Sequence, residues 1–220
     1  MESTRKRGLI GTPLKKKLKF VPLLLLINFH WTQSVAQLES TCFDFSKKVT
    51  EPLKQPIPFK EKMNPITAQS ETDEQIRWAA LRGLIDQPIE SVLQKILDPK
   101  NIKGPRNKNV EVSEHKQPSY FAFRTVAMTV HPILFLTLSW KEEWAYTLLE
   151  GTEKEPQKVL VSYQKTSGTS HIDRFCGSIL LKKLTHKKSD IFLYEELKAT
   201  RRSSQDILNG HMGTLKMLQE

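Results

Sequence analysis

The residues best suited to catalysis by type and spacing are two adjacent carboxylates, Glu142 and Glu143, which lie between Trp140 and Trp144. Paired carboxylates can supply the acid and the base of a proton-transfer reaction. Adjacent residues of a β-strand point to opposite faces, however, so these two glutamates would not share one site, whereas the two tryptophans would lie on the same face. We therefore predict that Glu142 and Glu143 are solvated or paired in salt bridges.

A second candidate group consists of His171, Asp173 and Glu195, residue types that bind metal ions. Their spacing matches no metal-binding motif, and we predict neither a metal site nor a cofactor. The sequence also contains no HExxH, GxSxG, phosphate-binding loop or GxGxxG motif. It therefore identifies no reaction, and a catalytic role for any residue is not predicted.

The two cysteines, Cys42 and Cys176, allow two interpretations. In an oxidising compartment they could form a disulfide that attaches the N-terminal segment to the rest of the protein. Alternatively, Cys176 is a small buried apolar side chain. The sequence leaves both interpretations open.

The N-terminal segment has the features of a signal peptide. The first 36 residues contain seven basic side chains and one acid, a charge of +6, so that +4 of the total +10 remains for the rest of the chain. An apolar run of roughly ten residues follows, shorter than the about 20 that a spanning helix needs, and Ser34-Val35-Ala36 resembles a cleavage site. We predict cleavage after Ala36 and export to the periplasm or the exterior; an uncleaved anchor or a buried helix is the alternative. Because the remaining charge is modest, nucleic acid is not a predicted partner.

The chain after the signal peptide divides into an arm, residues 37–70, and a domain, residues 71–220. Four prolines in the arm disfavour helix and sheet interior and predict an extended segment. Phe43 and Phe45 are expected to pack against the domain.

The domain reads as α+β. A strand enters an amphipathic helix within Trp78–Leu97, and strands joined by short turns follow between Val110 and Leu197, which predicts an antiparallel meander. A final helix, Ser203–Leu218, is capped by Ser203-Ser204. Its predicted apolar stripe contains Ile207, Leu208, His211, Met212, Leu215 and Leu218.

This order of elements resembles the START-like superfamily, also called helix-grip or SRPBCC, which includes polyketide cyclases and Bet v 1 allergens. The resemblance lies in Gly83–Val92, where a strand meets a helix at a proline, in the turn Tyr163–Thr169, and in the last strand leading to the final helix. It covers about residues 71–220. It implies a helix-grip fold, in which a curved antiparallel sheet of six to seven strands wraps around the C-terminal helix and leaves a cavity for a hydrophobic molecule.

The sequence thus predicts an exported binding or carrier protein for a hydrophobic or lipid-like small molecule, with at most transient membrane contact. The alternatives are a cyclase- or hydratase-type enzyme in the same cavity and an envelope interaction protein with a filled core. Gly210 and Gly213 suggest that the last helix is a movable wall of the cavity. The predicted ligand-contacting residues are Phe123, Trp144, Tyr163, Met212 and Leu215.

Overall fold

The computed structural model describes residues 41–58, 66–73, 75–103, 109–133, 136–199 and 202–220. The predicted signal peptide, residues 1–36, lies outside these ranges. The described residues form eight strands and three helices. The strands are β1 (Ile66–Asp73), β2 (Ile76–Ile85), β3 (Asn109–His115), β4 (Ala122–Ile133), β5 (Leu136–Gly151), β6 (Pro156–Gly168), β7 (Ile172–Thr185) and β8 (Lys188–Ala199). The helices are α1 (Ile89–Leu97), α2 (Pro99–Lys103) and α3 (Ser204–Gln219).

All eight strands form one antiparallel sheet in the order β1-β2-β8-β7-β6-β5-β4-β3. Strands β3 to β8 are the predicted meander, and β2 pairs with β8. The predicted number of six to seven strands is too low, because β1 adds a strand at the edge beside β2. Most of β1 falls in the segment assigned to the arm. Its sequence, ITAQSETD, is polar, as an edge strand can be, and it lacks the alternation that reveals a half-buried strand.

The helices are fixed to the sheet by specific hydrogen bonds. The Tyr146 hydroxyl donates to the carbonyl of Ile96, near the end of α1 (3.2 Å). The hydroxyl of Ser204, the first residue of α3, donates to the carbonyl of Glu71 in β1 (2.5 Å). Helix α3 begins with a capping box between Ser203 and Asp206, in agreement with the predicted cap. Helix α1 has Pro88 at its N-cap and no side-chain cap.

The register of the strands gives the sheet two chemically distinct faces. One, the helix face, packs against α1 and α3 and contains the main core, with Leu81, Val161, Ile179 and Leu193 in adjacent strands. The opposite face, which we call the arm face, carries smaller apolar clusters that are covered by the arm.

The arm crosses the arm face and is attached to it covalently. Cys42 forms a disulfide with Cys176 of β7, and their Cα atoms are 6.3 Å apart. The Gln164 side chain accepts from the Phe43 backbone N–H and donates to its carbonyl, both at 2.9 Å. Phe43 and Phe45 are buried beside Tyr120, and Ile57 is buried farther along. Residues 41–58 are therefore packed against the sheet along their length.

Candidate ligand-binding site

The helix face is covered unequally by the helices. Helix α3 packs on β1, β2 and α2, α1 packs on β6, β7 and β8, and the short helix α2 also contacts β3. Toward β3, β4 and β5 the same face carries apolar side chains that remain partly accessible, namely Val110, Val112, Phe121, Trp140 and Leu148. This accessible apolar part of the sheet is the candidate ligand-binding site.

A buried carboxylate lies in this part of the helix face. Glu142 has no exposed surface, and its two oxygens accept hydrogen bonds from the indole N–H groups of Trp140 (2.7 Å) and Trp144 (2.9 Å). Glu142 is thus not solvated, which was one of the two alternatives predicted for it. The expectation that both tryptophans share a face is confirmed, and it is this shared face that brings their N–H groups to one carboxylate.

A second polar pair on the helix face joins Tyr163 of β6 to Glu195 of β8. The ring of Tyr163 stacks on Trp144, with centroids 4.5 Å apart, and its hydroxyl donates to Glu195 of β8 at 3.0 Å. To reach β8, the side chain crosses Gly177 of β7, where a Cβ atom would lie only 2.2 Å from the tyrosine Cζ and hydroxyl oxygen. Gly177 is therefore the residue that lets Tyr163 lie flat on the sheet.

Burial and neighbouring charge change the acidity of groups on this face. Burial, reinforced by the Glu195 carboxylate, raises the pKa of Tyr163 well above its usual value. Burial lowers the pKa of Lys165, which donates to the carbonyls of Thr169 (2.9 Å) and Ile172. Tyr163 therefore remains a neutral hydrogen-bond donor at physiological pH.

Three of the five predicted ligand residues lie on the helix face. Trp144 and Tyr163 form the stack described above, and Leu215 of α3 packs against Gly83 of β2. Leu215 is thus in contact with the sheet at the end covered by α3 rather than in the accessible part.

The other two predicted ligand residues are placed elsewhere. Phe123 lies opposite Ala145 in the register and packs with Phe45 and Tyr120 on the arm face. Met212 is 43% exposed, because α3 turns its opposite side toward the sheet. The structure therefore does not bring these two residues together with Trp144 and Tyr163.

The structure separates the residues considered as metal ligands. Ile172 pairs with Ala199 and Gly177 pairs with Glu195, so that His171 and Glu195 are displaced by roughly 20 Å along the strands at about 3.3 Å per residue. Within the described ranges, the one group with suitable geometry is Cys42, Cys176 and Glu196, and its cysteines are joined to each other. These groupings therefore support no metal site in the described part of the chain.

Sequence reasoning missed the importance of Glu142 and Glu195. The signal for Glu142 is its position two residues from each tryptophan, since residues two apart on a strand share a face. The residues near Glu195 in the sequence give no indication of its role, because its partner Tyr163 lies 32 residues away.

An α+β protein with one antiparallel sheet, helices on one face and a long C-terminal helix has the helix-grip architecture. No protein-family model matches the chain, and no curated protein sequence does. Among the described residues, no helix is both long and apolar enough to cross a membrane.

Solved structures match this architecture. The lipid transfer and protein localization domain of human StarD13 matches with a TM-score of 0.52 and 9% identity, over 76% of this chain and 87% of that one. A STAR-related lipid transfer protein from Xanthomonas axonopodis matches with a TM-score of 0.51 and 14% identity, over 75% and 96%. The Zhui aromatase/cyclase from a Streptomyces species gives 0.48 and 10%, over 66% and 92%. The first two of these likenesses show that the chain has the helix-grip fold.

Proposed function

We propose that this protein binds and carries a hydrophobic or lipid-like small molecule on the helix face of its sheet. The observation that carries the proposal is the accessible apolar surface toward β3–β5, which includes the partly buried Trp140 beside the buried Trp144–Tyr163 stack. Burial of apolar ligand surface against such side chains is favourable at roughly 25 cal/mol per Å². The likeness to lipid transfer domains supports the same ligand class.

Polar groups within this surface would orient an amphipathic ligand. Glu142 lies among the aromatic rings with both oxygens accepting hydrogen bonds. This buried carboxylate places an acceptor group beside the apolar surface, where it favours a ligand that carries a hydroxyl or amine. We infer that the ligand has a small polar head and an apolar body.

The state of Tyr163 argues against a reaction that uses its phenolate as a base. A general base must be deprotonated at the working pH. The pKa of Tyr163 is raised by burial and by Glu195, and its hydroxyl donates a hydrogen bond to that carboxylate. The phenol can therefore donate a hydrogen bond but is a poor base, which makes a cyclase-like reaction through Tyr163 the weaker proposal.

Export is the second part of the proposal. The Cys42–Cys176 disulfide supports it, since such bonds persist chiefly in oxidising compartments. N-terminal sequencing of protein recovered from an extracytoplasmic fraction should begin at Gln37. Recovery solely of cytoplasmic protein that begins at Met1 would contradict export.

Tryptophan fluorescence tests the location of the ligand. Trp140 and Trp144 lie on the helix face, whereas Trp78 lies on the arm face with Tyr194. In a chain carrying Trp31→Phe and Trp78→Phe, a brominated fatty acid should quench the remaining emission in a saturable manner, because bromine quenches at contact distance.

The matched variant carries Trp31→Phe alone, so that the binding surface is intact and its additional emission relative to the first variant comes from Trp78. This additional emission should change little at ligand concentrations that quench Trp140 and Trp144. Quenching of Trp78 to the same extent as the helix-face tryptophans, or quenching of neither, would overturn the proposed location.

A further inference from the structure

A pocket of about 230 Å³ lies on the arm face, on the opposite side of the sheet from the candidate lipid site. Pro56 of the arm borders it, and its apolar walls are Leu180 of β7 and Phe192 of β8. Pockets for drug-sized ligands measure roughly 300–1,000 Å³, so this one suits a smaller molecule.

The end of the pocket nearest β2 is fixed by a buried ion pair. Arg82 donates through Nε to one oxygen of Asp190 (3.0 Å) and through Nη2 to the other (2.7 Å). A further hydrogen bond from Arg82 Nη1 reaches the carbonyl of Ile57 in the arm (3.0 Å). This two-point pairing neutralises Asp190 and holds the arm over the pocket.

Two lysines meet at the other end of the pocket. Lys158 of β6 and Lys182 of β7 are directly opposite each other in the register, and both border the pocket. Like charges at opposite positions of neighbouring strands repel each other. Glu150 lies 3.3 Å from the Lys158 amine and offsets part of this charge, and Lys182 lies opposite Asp190, which is held by Arg82.

We propose that this pocket binds a small carboxylate with a short alkyl chain. The carboxylate lies between the amines of Lys158 and Lys182, where it removes their mutual repulsion, and the chain packs on Leu180 and Phe192. The site is separate from the proposed lipid site, because these side chains point to the arm face.

The test uses octanoate and the full-length protein. Lysines are acetylated briefly with acetic anhydride, and the extent of modification at each residue is read by peptide mass spectrometry. Octanoate should protect Lys158 and Lys182 in a saturable manner, while Lys116 and Lys141, which are exposed on other parts of the protein, serve as internal controls. Acetate at the same concentration should protect much less, because it has no chain to bury.

Single variants provide the energetic test. Isothermal titration would also detect octanoate on the helix face, so the affinity is read at the pocket itself, as the octanoate concentration that half-protects one lysine from acetylation. Each lysine should contribute up to about fivefold to octanoate affinity at this partly exposed site, the upper range for exposed ion pairs. The half-protecting concentration at Lys182 should therefore rise by up to that factor in Lys158→Gln and stay unchanged in Lys116→Gln/Lys141→Gln. Unchanged acetylation of the two lysines with octanoate, equal protection by acetate, or an unchanged half-protecting concentration in Lys158→Gln would each overturn the proposal. Because acetylation is read at residues of the arm face, its failure would leave the fluorescence test of the lipid site unaffected.

Discussion

At the scale of single residues, the helix face depends on a contact between a glycine and an aromatic ring. Tyr163 crosses Gly177 with no room for a Cβ atom, and only in this position does its ring stack on Trp144 and its hydroxyl reach Glu195. The missing side chain at position 177 is thus what allows an aromatic and a polar contact at once.

Replacement of Gly177 by alanine should displace this ring. A Cβ atom 2.2 Å from the Tyr163 hydroxyl must push the side chain away, and overpacking of this kind typically costs about 1–3 kcal/mol. Urea unfolding should show the loss of stability, and near-ultraviolet circular dichroism should show a weakened signal from the Trp144–Tyr163 stack. An unchanged spectrum and an unchanged midpoint in Gly177→Ala would show that Tyr163 does not occupy this position.

The sequence indicated that Trp144 and Tyr163 lie on a shared surface, but it did not indicate the buried carboxylate beside them. Trp144 and Tyr163 were expected on a ligand-facing surface because their strands are rich in apolar residues. The burial of Glu142 was missed because a carboxylate flanked by charged residues ordinarily lies in water. Two indole donors bind its oxygens inside the protein, a geometry that becomes evident only when the strand is known to be regular from Trp140 to Trp144.

At the scale of elements, α3 has a polar, glycine-containing outer side. Its buried residues are Ser204, Ile207, His211, Leu215 and Leu218. They follow the spacing of three and four residues that one helix face requires. Gly210, Met212 and Gly213 lie on the exposed side of the helix. The packed stripe therefore contains neither glycine, and it also lacks Met212, which the sequence predicted to be in it.

Both glycines of α3 should accept alanine with a gain in stability. A Cβ atom at Gly210 or Gly213 would meet no atom within 4 Å. Glycine inside a helix is about 0.8–1.0 kcal/mol less favourable than alanine, so each variant should raise the free energy of unfolding by up to that amount. Thermal unfolding of Gly210→Ala and Gly213→Ala would check this. A lower melting temperature in either variant would indicate that the outer side of α3 is covered in the native protein.

The capping box at the start of α3 should make stability depend on pH. Hydrogen bonds from Ser203 lower the pKa of Asp206, so the carboxylate stabilises the native state above its unfolded pKa of about 3.9 and loses that effect as the pH falls through the native value. Asp206→Asn should therefore be less stable than the wild type at pH 7, with a difference that shrinks below about pH 4. Ser203→Ala should cost about 0.5–2 kcal/mol at pH 7. A constant difference between Asp206→Asn and wild type across this range would contradict the role of the ionised cap.

The order of elements could be predicted from the sequence, but the relation between strands could not. The strand–helix–meander–helix pattern follows from turn residues and apolar periodicity, and it appears in the structure from β2 to α3. Phe123 was expected on the same face as Trp144, whereas it lies on the arm face. The alternation within β4 shows which residues of β4 share a face, but not which residues of β5 share that face with them. The pairing of Phe123 with Ala145 decides this, and strand pairing is a tertiary property.

At the scale of the whole molecule, both faces of the sheet are apolar and each has its own cover. Helices cover part of one face, and the arm covers part of the other. Strand β7, for example, has Ile179 and Leu181 on the helix face and Cys176 and Leu180 on the arm face, and the two covers explain this pattern without a requirement that both sides contact ligand. The arm was expected to be extended and to bring Phe43 and Phe45 to the domain, and the structure places both rings in a buried cluster.

The disulfide should hold this arm in place and add to global stability. Cys42 and Cys176 are 134 residues apart in the sequence, and closing so long a loop restricts the unfolded chain. Loop-entropy models allow on the order of 4–5 kcal/mol, and removal of native disulfides typically costs about 2–5 kcal/mol. The double variant Cys42→Ser/Cys176→Ser should therefore unfold at a lower temperature than the oxidised wild type and at about the temperature of the reduced wild type.

Local release of the arm can be separated from this global effect by proteolysis below the unfolding transition. Lys48 is exposed, and the arm around it is held by the disulfide and by hydrogen bonds from Gln164 to Phe43 and from Tyr120 to the carbonyl of Lys47. Because these hydrogen bonds constrain the arm less without the covalent bond than with it, trypsin should cleave after Lys48 faster in reduced protein, while the far-ultraviolet spectrum of the sheet is preserved. Thiol titration of denatured, unreduced protein should detect no free thiol. Two thiols per chain, or equal cleavage rates with and without reductant, would mean that the packing of the arm on the sheet does not depend on the disulfide.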